Sequence, residues 1–221
     1  MKNIGEWKTM ELNLDLAINK KLREILNEDH NFMYERKAKF KIPGKRGEME
    51  ESRAFNCICA CLDRIDSLVV HCNDISKNIE NIYGLCDILN YGQTLIDCIS
   101  MIAKIYRVKY NSEGDISCFN ESGLDGKGND EKFFKYIRSL CSVHPVETSY
   151  HPSYQGEQPE WCPWISKAES QSHIWQFDKG CSEKLKEADF VAIVYRNDLE
   201  YNKHVYISLK QIYKYLRKRY S

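Results

Sequence analysis

The sequence has no long apolar run and no excess of charge of either sign. Its longest apolar stretches, at 190–195 and 99–103, are far shorter than the roughly 20 residues needed to cross a bilayer. The 32 basic and 32 acidic side chains cancel, which excludes the overall attraction to nucleic acid or anionic membrane that a basic protein has. Residues 1–15 also lack the apolar core of a secretory signal. We therefore expect a cytoplasmic protein, not bound to a membrane, in which any site for a polyanion is a local patch.

The motifs of several enzyme classes are also missing. The chain contains no G-x-S-x-G, H-E-x-x-H or G-x-G-x-x-G, so hydrolase, zincin and dinucleotide-binding functions have no motif support. The glycine-rich stretch DGKGND lacks the acid spacing of an EF-hand and the GKS or GKT of a P-loop. We predict no chemistry at that stretch and no cofactor.

Cysteine is abundant, with ten residues, but no C-x-x-C pair occurs. Most thiols, including Cys72, Cys86 and Cys98, fall in or beside apolar stripes, where a free cysteine acts as a small hydrophobic side chain. We interpret most of the ten as structural. The 221 residues, of which 43% are apolar and 29% charged, are enough for one well-packed domain with appendages.

Two long amphipathic helices are the clearest elements of the pattern. Apolar residues recur at steps of three and four along a helix predicted over 48–76, and again along a second helix over 82–106. Only the short polar link SKNIEN separates the two stripes. We therefore predict that the helices are antiparallel neighbours.

The next part of the chain is predicted to contain a loop, a third helix and an extended segment. Residues 111–130 are rich in glycine and turn formers, which favours an exposed loop. The helix that follows is capped by Asn129 or Asp130 and ends near His144, because Pro145 disfavours helical geometry at the preceding residue. The proline-rich segment after it is expected to be held by burial of its tryptophans, Trp161 and Trp164.

The C-terminal pattern changes to strands and a last helix. Residues 190–195 and 204–207 predict a β-hairpin, and an alternating stretch at 37–42 is its expected third strand. Ser208 and Gln211 have the spacing of a capping box at the start of the last helix. The predicted fold is mainly α, a helical bundle with a small C-terminal β-hairpin plus helix, and α+β overall.

We divide the chain into three parts on this basis. Residues 1–47 hold an N-terminal helix and a basic strand, residues 48–150 form the helical core, and residues 151–221 pack on that core.

Arg138 and His144 are the most informative pair of side chains. Arginine presents a cationic fork that fits phosphate oxygens, and histidine titrates near neutrality, so the pair suits metal-independent cleavage of a phosphodiester. Six residues of straight α-helix turn through about 600°, which leaves the two side chains roughly 120° apart. One motif in one straight helix therefore does not make a tight site, which favours a dimer.

An arginine followed six residues later by a histidine, behind two long helices, resembles the HEPN domain family, and the resemblance covers roughly residues 48–150. It implies a metal-independent endoribonuclease in which arginines and histidines of two protomers meet at a dimer axis. By this resemblance Arg138 stabilises the charge that develops on the phosphate, and His144 is the general base or acid at the ribose 2′-hydroxyl. Many members of the family act as toxins, in phage defence or in RNA processing.

Simpler interpretations of the same residues remain open. Arg138 can pair with a carboxylate such as Glu131 or Glu147, and His144 can interact with the negative end of a helix dipole. A structural zinc site is a further alternative, because four residues that suit zinc lie within 22 positions: Cys141, His144, His151 and Cys162.

A local basic patch is the predicted RNA-binding surface. The stretch RKAKFKIPGKR contains no acid, and its members with predicted contacts to RNA are Arg36, Lys37, Lys39 and Lys41. An edge strand protected from aggregation by lysines is the alternative explanation of the same pattern.

The sequence thus favours a metal-independent endoribonuclease of HEPN type that acts on RNA as a homodimer, in phage defence or toxin–antitoxin biology. An antitoxin or another defence protein is a candidate partner. The first alternative is a catalytically inactive HEPN-like interaction or nucleotide-binding module, and the second is a zinc-stabilised structural protein.

Overall fold

The computed structural model describes residues 11–28, 40–41, 48–49, 51–110, 114–144, 146–169, 187–199 and 202–221. The helices are α1 (Ala17–Glu28), α2 (Glu51–Ser76), α3 (Ile82–Tyr106), α4 (Asp130–Arg138), α5 (Pro152–Gln155) and α6 (Leu209–Tyr220), with a π-helical turn at Ser139–Val143. The strands are β1 (Phe40–Lys41), β2 (Glu48–Met49), β3 (Glu147–Thr148), β4 (Glu160–Lys167), β5 (Phe190–Tyr195) and β6 (Lys203–Ile207). The chain is mainly helical with small antiparallel sheets, which confirms the α+β class.

The pair of long helices is confirmed. α2 and α3 pack along their length, and their apolar stripes form much of the core. Asn81 begins α3 by accepting hydrogen bonds through Oδ1 from the backbone N–H groups of Tyr83 (3.0 Å) and Gly84 (3.1 Å). α6 lies against α3 at Gly92, where a Cβ atom would come within 2.7 Å of the Leu216 side chain. The glycine thus allows the close approach of these two helices.

The C-terminal sheet has a different third strand from the predicted one. Within the described residues its order is β3-β4-β5-β6, all antiparallel, so the predicted hairpin of β5 and β6 is confirmed. β4 is the neighbour of β5, whereas Phe40–Lys41 pairs with Glu48–Met49 in a separate small sheet. The described part of the proposed partner, Phe40–Lys41, is therefore not the third strand, and the rest of 37–42 lies outside the described residues. The proline-rich segment forms β4 instead, with an irregular register between Trp161 and Trp164.

The aromatic side chains that hold the proline-rich segment are not its tryptophans. Trp164 is 55% exposed and Trp161 is half-buried, so the expected burial of both was wrong. Tyr154, on α5, is buried and stacks on Tyr136 of α4, with ring centroids 5.2 Å apart. These two tyrosines join the segment to the helical core.

The loop before α4 is more buried than its composition predicts. Cys118 and Phe119 are both in the core, although the stretch was expected to be exposed. The buried carboxylate of Asp130 accepts backbone hydrogen bonds from both residues, at 2.9–3.1 Å. Asn129 is the N-cap, as one of the two predicted candidates, and accepts from Lys132 N at 2.8 Å.

Ser208 occupies the N-cap position of α6, but its side chain makes no capping hydrogen bond, so the predicted capping box does not form. Asp189, just before β5, accepts instead from the backbone N–H of Leu209 through Oδ2 at 2.7 Å. No helix in the described ranges is long and apolar enough to span a membrane.

Candidate phosphodiester site

The backbone between Arg138 and His144 is a π-helical turn. α4 ends at Arg138, and the turn Ser139–Val143 closes with a hydrogen bond from His144 N to Ser139 O at 2.9 Å. Helical bonding thus ends at His144, as predicted, but the last turn is wider than an α-turn. A turn closed from residue i to i+5 rotates less per residue, so the 120° expected for a straight helix does not apply.

Two side-chain contacts hold this wide turn. Ser139 Oγ lies 3.0 Å from Thr148 Oγ1 in β3. Ser142 Oγ donates to Asn90 Oδ1 of α3 at 3.0 Å. The turn is therefore fixed to both the sheet and the long helix pair. Single π-turns of this kind are frequent at functional sites.

Arg138 is half-buried and has unused hydrogen-bonding capacity. Its Nε atom is buried and has no hydrogen-bond partner in the described part of the chain. Glu131, one of the carboxylates suggested for it, pairs with Lys135 at 2.6 Å instead. A buried donor without a partner is costly, and because Nε is out of reach of solvent, any contact of Arg138 with a phosphate has to use the terminal nitrogens of its guanidinium.

The two histidines of this region flank β3 in the sequence. His144 is exposed, and its ring centroid is 5.0 Å from that of Tyr150, itself 69% exposed. His151 is half-buried, with its ring 5.7 Å from the ring of Tyr136. The backbone N–H of His151 donates to Gln155 Oε1 at 2.7 Å, which fixes the start of α5.

The pKa of His151 responds to the charges around it. Burial lowers that pKa, the carboxylate of Glu160 acts in the opposite direction, and the charges of His144, Lys135 and Arg138 lower it further. We call Arg138, His144, His151 and Lys135 the cationic cluster, because the charges of the other three act on His151.

His151 is the member of this cluster whose role the sequence did not indicate. From the sequence, His151 is a candidate only as an alternative zinc ligand. A signal was present, because His144 and His151 are each followed directly by proline. A proline restricts the residue before it, and both histidines lie at the ends of helical segments.

A buried network of Lys203, Glu160 and Tyr136 supports the ring that His151 contacts. Lys203 Nζ donates to Glu160 Oε1 (2.7 Å), Tyr136 Oη (3.0 Å) and Tyr154 O (2.7 Å). Tyr136 Oη in turn donates to Glu160 Oε2 at 2.6 Å, and Glu160 is fully buried. These bonds hold the aromatic surface against which His151 rests. Because the Lys203 ammonium has three partners, we interpret it as structural.

The alternative zinc ligands do not form a metal site in the structure. Among the described residues, no group of three or more histidine, cysteine, aspartate or glutamate side chains is arranged to hold a metal ion. Burial raises the pKa of Cys141 well above its usual value, and that of Cys162 to about 11.

The predicted RNA-binding lysines fall largely outside the described residues. Arg36, Lys37 and Lys39 lie in a part of the chain that the structure does not describe, and only the backbone of Lys41, in β1, is described. Their contact with RNA stays a prediction.

Comparisons with known proteins give this chain no relative. No protein-family model, no curated protein and no solved structure matches it. The functional argument therefore depends on the geometry of the cationic cluster and on the chemistry of its residues.

Proposed function

We propose that the protein is a metal-independent endoribonuclease and that the cationic cluster is its active site. The observation that carries the proposal is the π-helical turn that joins Arg138 to His144, with His151 close enough for the charges of both to act on its pKa. The resemblance to HEPN domains rests on Arg138, His144 and the preceding helices, and supports the same chemistry.

The proposed reaction is a transesterification within RNA. A neutral imidazole removes the proton of a ribose 2′-hydroxyl, whose oxygen attacks the adjacent phosphorus. Arg138 binds the phosphate oxygens as negative charge develops on them. The bond to the 5′-oxygen breaks, and a protonated imidazole gives that oxygen its proton. The products are a 2′,3′-cyclic phosphate and a 5′-hydroxyl.

The two histidines suit different halves of this reaction. Burial and neighbouring charge lower the pKa of His151, so its imidazole is neutral at pH 7 and suits the base. The exposed His144 is in contact with water and suits the acid. A setting in phage defence or toxin–antitoxin biology, with an antitoxin as partner, belongs to the same proposal.

The test measures cleavage of end-labelled RNA in EDTA. We expect His144→Ala and His151→Ala each to lose roughly 10²- to 10⁴-fold in cleavage rate, the usual contribution of proton transfer. Arg138→Lys should fail as well, because an ammonium lacks the planar fork of a guanidinium. His71→Ala, which removes an exposed histidine from α2, is the matched control and should cleave normally.

Product analysis decides the mechanism. Wild-type protein should leave 2′,3′-cyclic phosphate ends, and circular dichroism should show that the variants keep the fold. If wild type and His144→Ala are equally inactive on structured and unstructured RNA, the proposal fails. A catalytically inactive binding module then becomes the better interpretation.

A further inference from the structure

The C-terminal sheet has two faces of different character. The side chains of Phe190, Ala192 and Val194 in β5 belong to the main core, so the opposite face of the sheet carries the alternate residues. On that outer face Tyr195 stands opposite Trp161 of β4, and Glu147 of β3 continues the same row.

The next row on the outer face contains Trp164, Ile193 and His204, from β4, β5 and β6 in turn. Two neighbouring rows thus place aromatic side chains side by side. We call Trp161, Trp164 and Tyr195 the aromatic face.

The aromatic face is open to solvent. Trp164 is 55% exposed, Tyr195 is 39% exposed and Trp161 is half-buried. Water contact of this extent is costly for large aromatic side chains, and grouped exposure of this kind marks an interaction surface. The residues are flat rings with polar edges, which differ from the aliphatic side chains of a helix-packing surface.

The aromatic face adjoins the cationic cluster. The backbone N–H of Cys162, next to Trp161, donates to Val146 O at 3.2 Å. Val146 lies only two residues after His144, a distance of at most about 7 Å along an extended chain.

The aromatic rings lie on the outer face of the sheet, whereas Glu160 and Lys203, which support the ring that His151 contacts, face the core. The edge strand β3 therefore lies between the two surfaces. A ligand that combines flat rings with a flexible polyanionic backbone reaches both surfaces around that edge.

We infer that the aromatic face is a stacking platform for unpaired bases of single-stranded RNA, whose phosphates run toward the cationic cluster. Exposed aromatic rings beside positive charge are the usual means of binding single strands, because every base has a face that can stack. Bases within a duplex are already stacked on one another and cannot do so. The identity of the strand as RNA rests on the proposed function, whereas the stacking itself does not.

The experiment uses the full chain with His144→Ala, so that RNA is not cleaved while binding is measured. A fluorescein-labelled single-stranded RNA of 12 nucleotides is titrated by anisotropy, alongside the same sequence as a duplex. Loss of one stacking ring should weaken single-strand binding roughly 5- to 100-fold. We therefore expect this decrease in affinity when Trp164→Ala or Tyr195→Ala is added to the His144→Ala parent.

Matched variants separate stacking from a general effect. Trp164→Phe keeps a ring and should restore most of the affinity. Tyr83→Ala removes an aromatic side chain that is 77% exposed on α3, away from the sheet, and should bind like the parent. Thermal unfolding shows whether the substitutions leave the fold intact.

Each outcome bears on the inference. Unchanged affinity in Trp164→Ala and Tyr195→Ala, equal affinity for the duplex, or no RNA binding by the parent would overturn it. A change of oligomeric state in Trp164→Ala without a change in RNA affinity would instead assign the face to contact between copies of the chain. If the variants show the expected loss of RNA binding but the wild-type protein cleaves no RNA, the proposed ribonuclease function is wrong and the stacking platform stands. The two proposals can therefore fail separately.

Discussion

His151 feels both the cations of the cluster and the buried carboxylate of Glu160, and this environment has a consequence for stability. Burial comes first among the causes that lower its pKa, followed by positive charge that the attraction to Glu160 only partly offsets. The folded protein therefore favours the neutral imidazole. The unfolded chain, with a histidine pKa of about 6.5, does not share this preference.

The sign of the pH dependence follows from proton binding. Between the lowered pKa and about 6.5 the unfolded chain binds more protons than the folded one, so the free energy of unfolding rises with pH across that window. This stability is present above the unfolded pKa and is lost as pH falls toward the folded pKa. We expect His151→Gln to flatten the slope, as measured by urea denaturation from about pH 5 to 7. A slope that is the same in wild type and His151→Gln would contradict the assignment, and His71→Gln provides the comparison.

Single residues also show where sequence reasoning stops. The chemistry of Arg138 and His144 can be predicted from their residue types alone. Phe133, Phe134 and Ile137 are buried in the core, as the helical spacing of apolar residues predicts. The π-turn between them has no such local signal, because Ser139 and Ser142 hold it through distant partners. The place of His151 in the site depends on that turn and could not be derived from spacing alone.

The loop before α4 is attached to α5 by a contact that only glycine permits. Gly123 has a positive φ of 74°, and a Cβ atom there would lie 2.3 Å from Ser153 O. The next residue, Leu124, donates its backbone N–H to the same oxygen at 2.6 Å. The two segments therefore meet backbone to backbone, and these contacts hold α5 close to the cluster.

Gly123→Ala should cost more stability than a positive φ alone explains. We expect a loss of at least about 2 kcal/mol, from backbone strain and from separation of the loop from α5. Gly126→Ala is the matched control, because Gly126 has a similar φ of 67° with nothing within 4 Å of its Cβ position. The control should lose only about 1 kcal/mol. Equal losses of unfolding free energy in urea for the two variants would show that the contact with Ser153 is unimportant.

Elements whose signal is local were predictable, and those that depend on distant pairing were not. α2, α3 and the β5–β6 hairpin follow from apolar periodicity within each segment. β4 was missed because its tryptophans and prolines obscure the alternation, and because its pairing with β5 crosses more than twenty residues. The cap of α6 was missed for the same reason, since Asp189 is distant in sequence from Leu209.

At the scale of the whole molecule, three exposed apolar side chains lie near His144 in the sequence, and we call Val143, Val146 and Tyr150 the apolar rim. Val143 is 42% exposed, Val146 is 65% exposed and Tyr150 is 69% exposed, all within a few residues of His144. The apolar stripes of α2 and α3, by contrast, are used within the chain. A dimer formed through the long helical seams is therefore not favoured. We propose that two copies of the chain meet at this rim, a contact of the kind that the resemblance to HEPN domains implies.

Complementation between two inactive variants distinguishes an active site shared by two protomers from a site within one chain. If each site takes its arginine from one protomer and its histidine from the other, then mixing Arg138→Lys with His144→Ala rebuilds one intact site per mixed dimer. Random exchange of subunits makes half of the dimers mixed, so the mixture should regain about one quarter of the wild-type cleavage rate. Each variant alone should stay inactive, and light scattering should give twice the 26.0 kDa mass of the chain. If the mixture is no more active than its components although subunits exchange, the arginine and histidine act within one chain, and the apolar rim serves another contact.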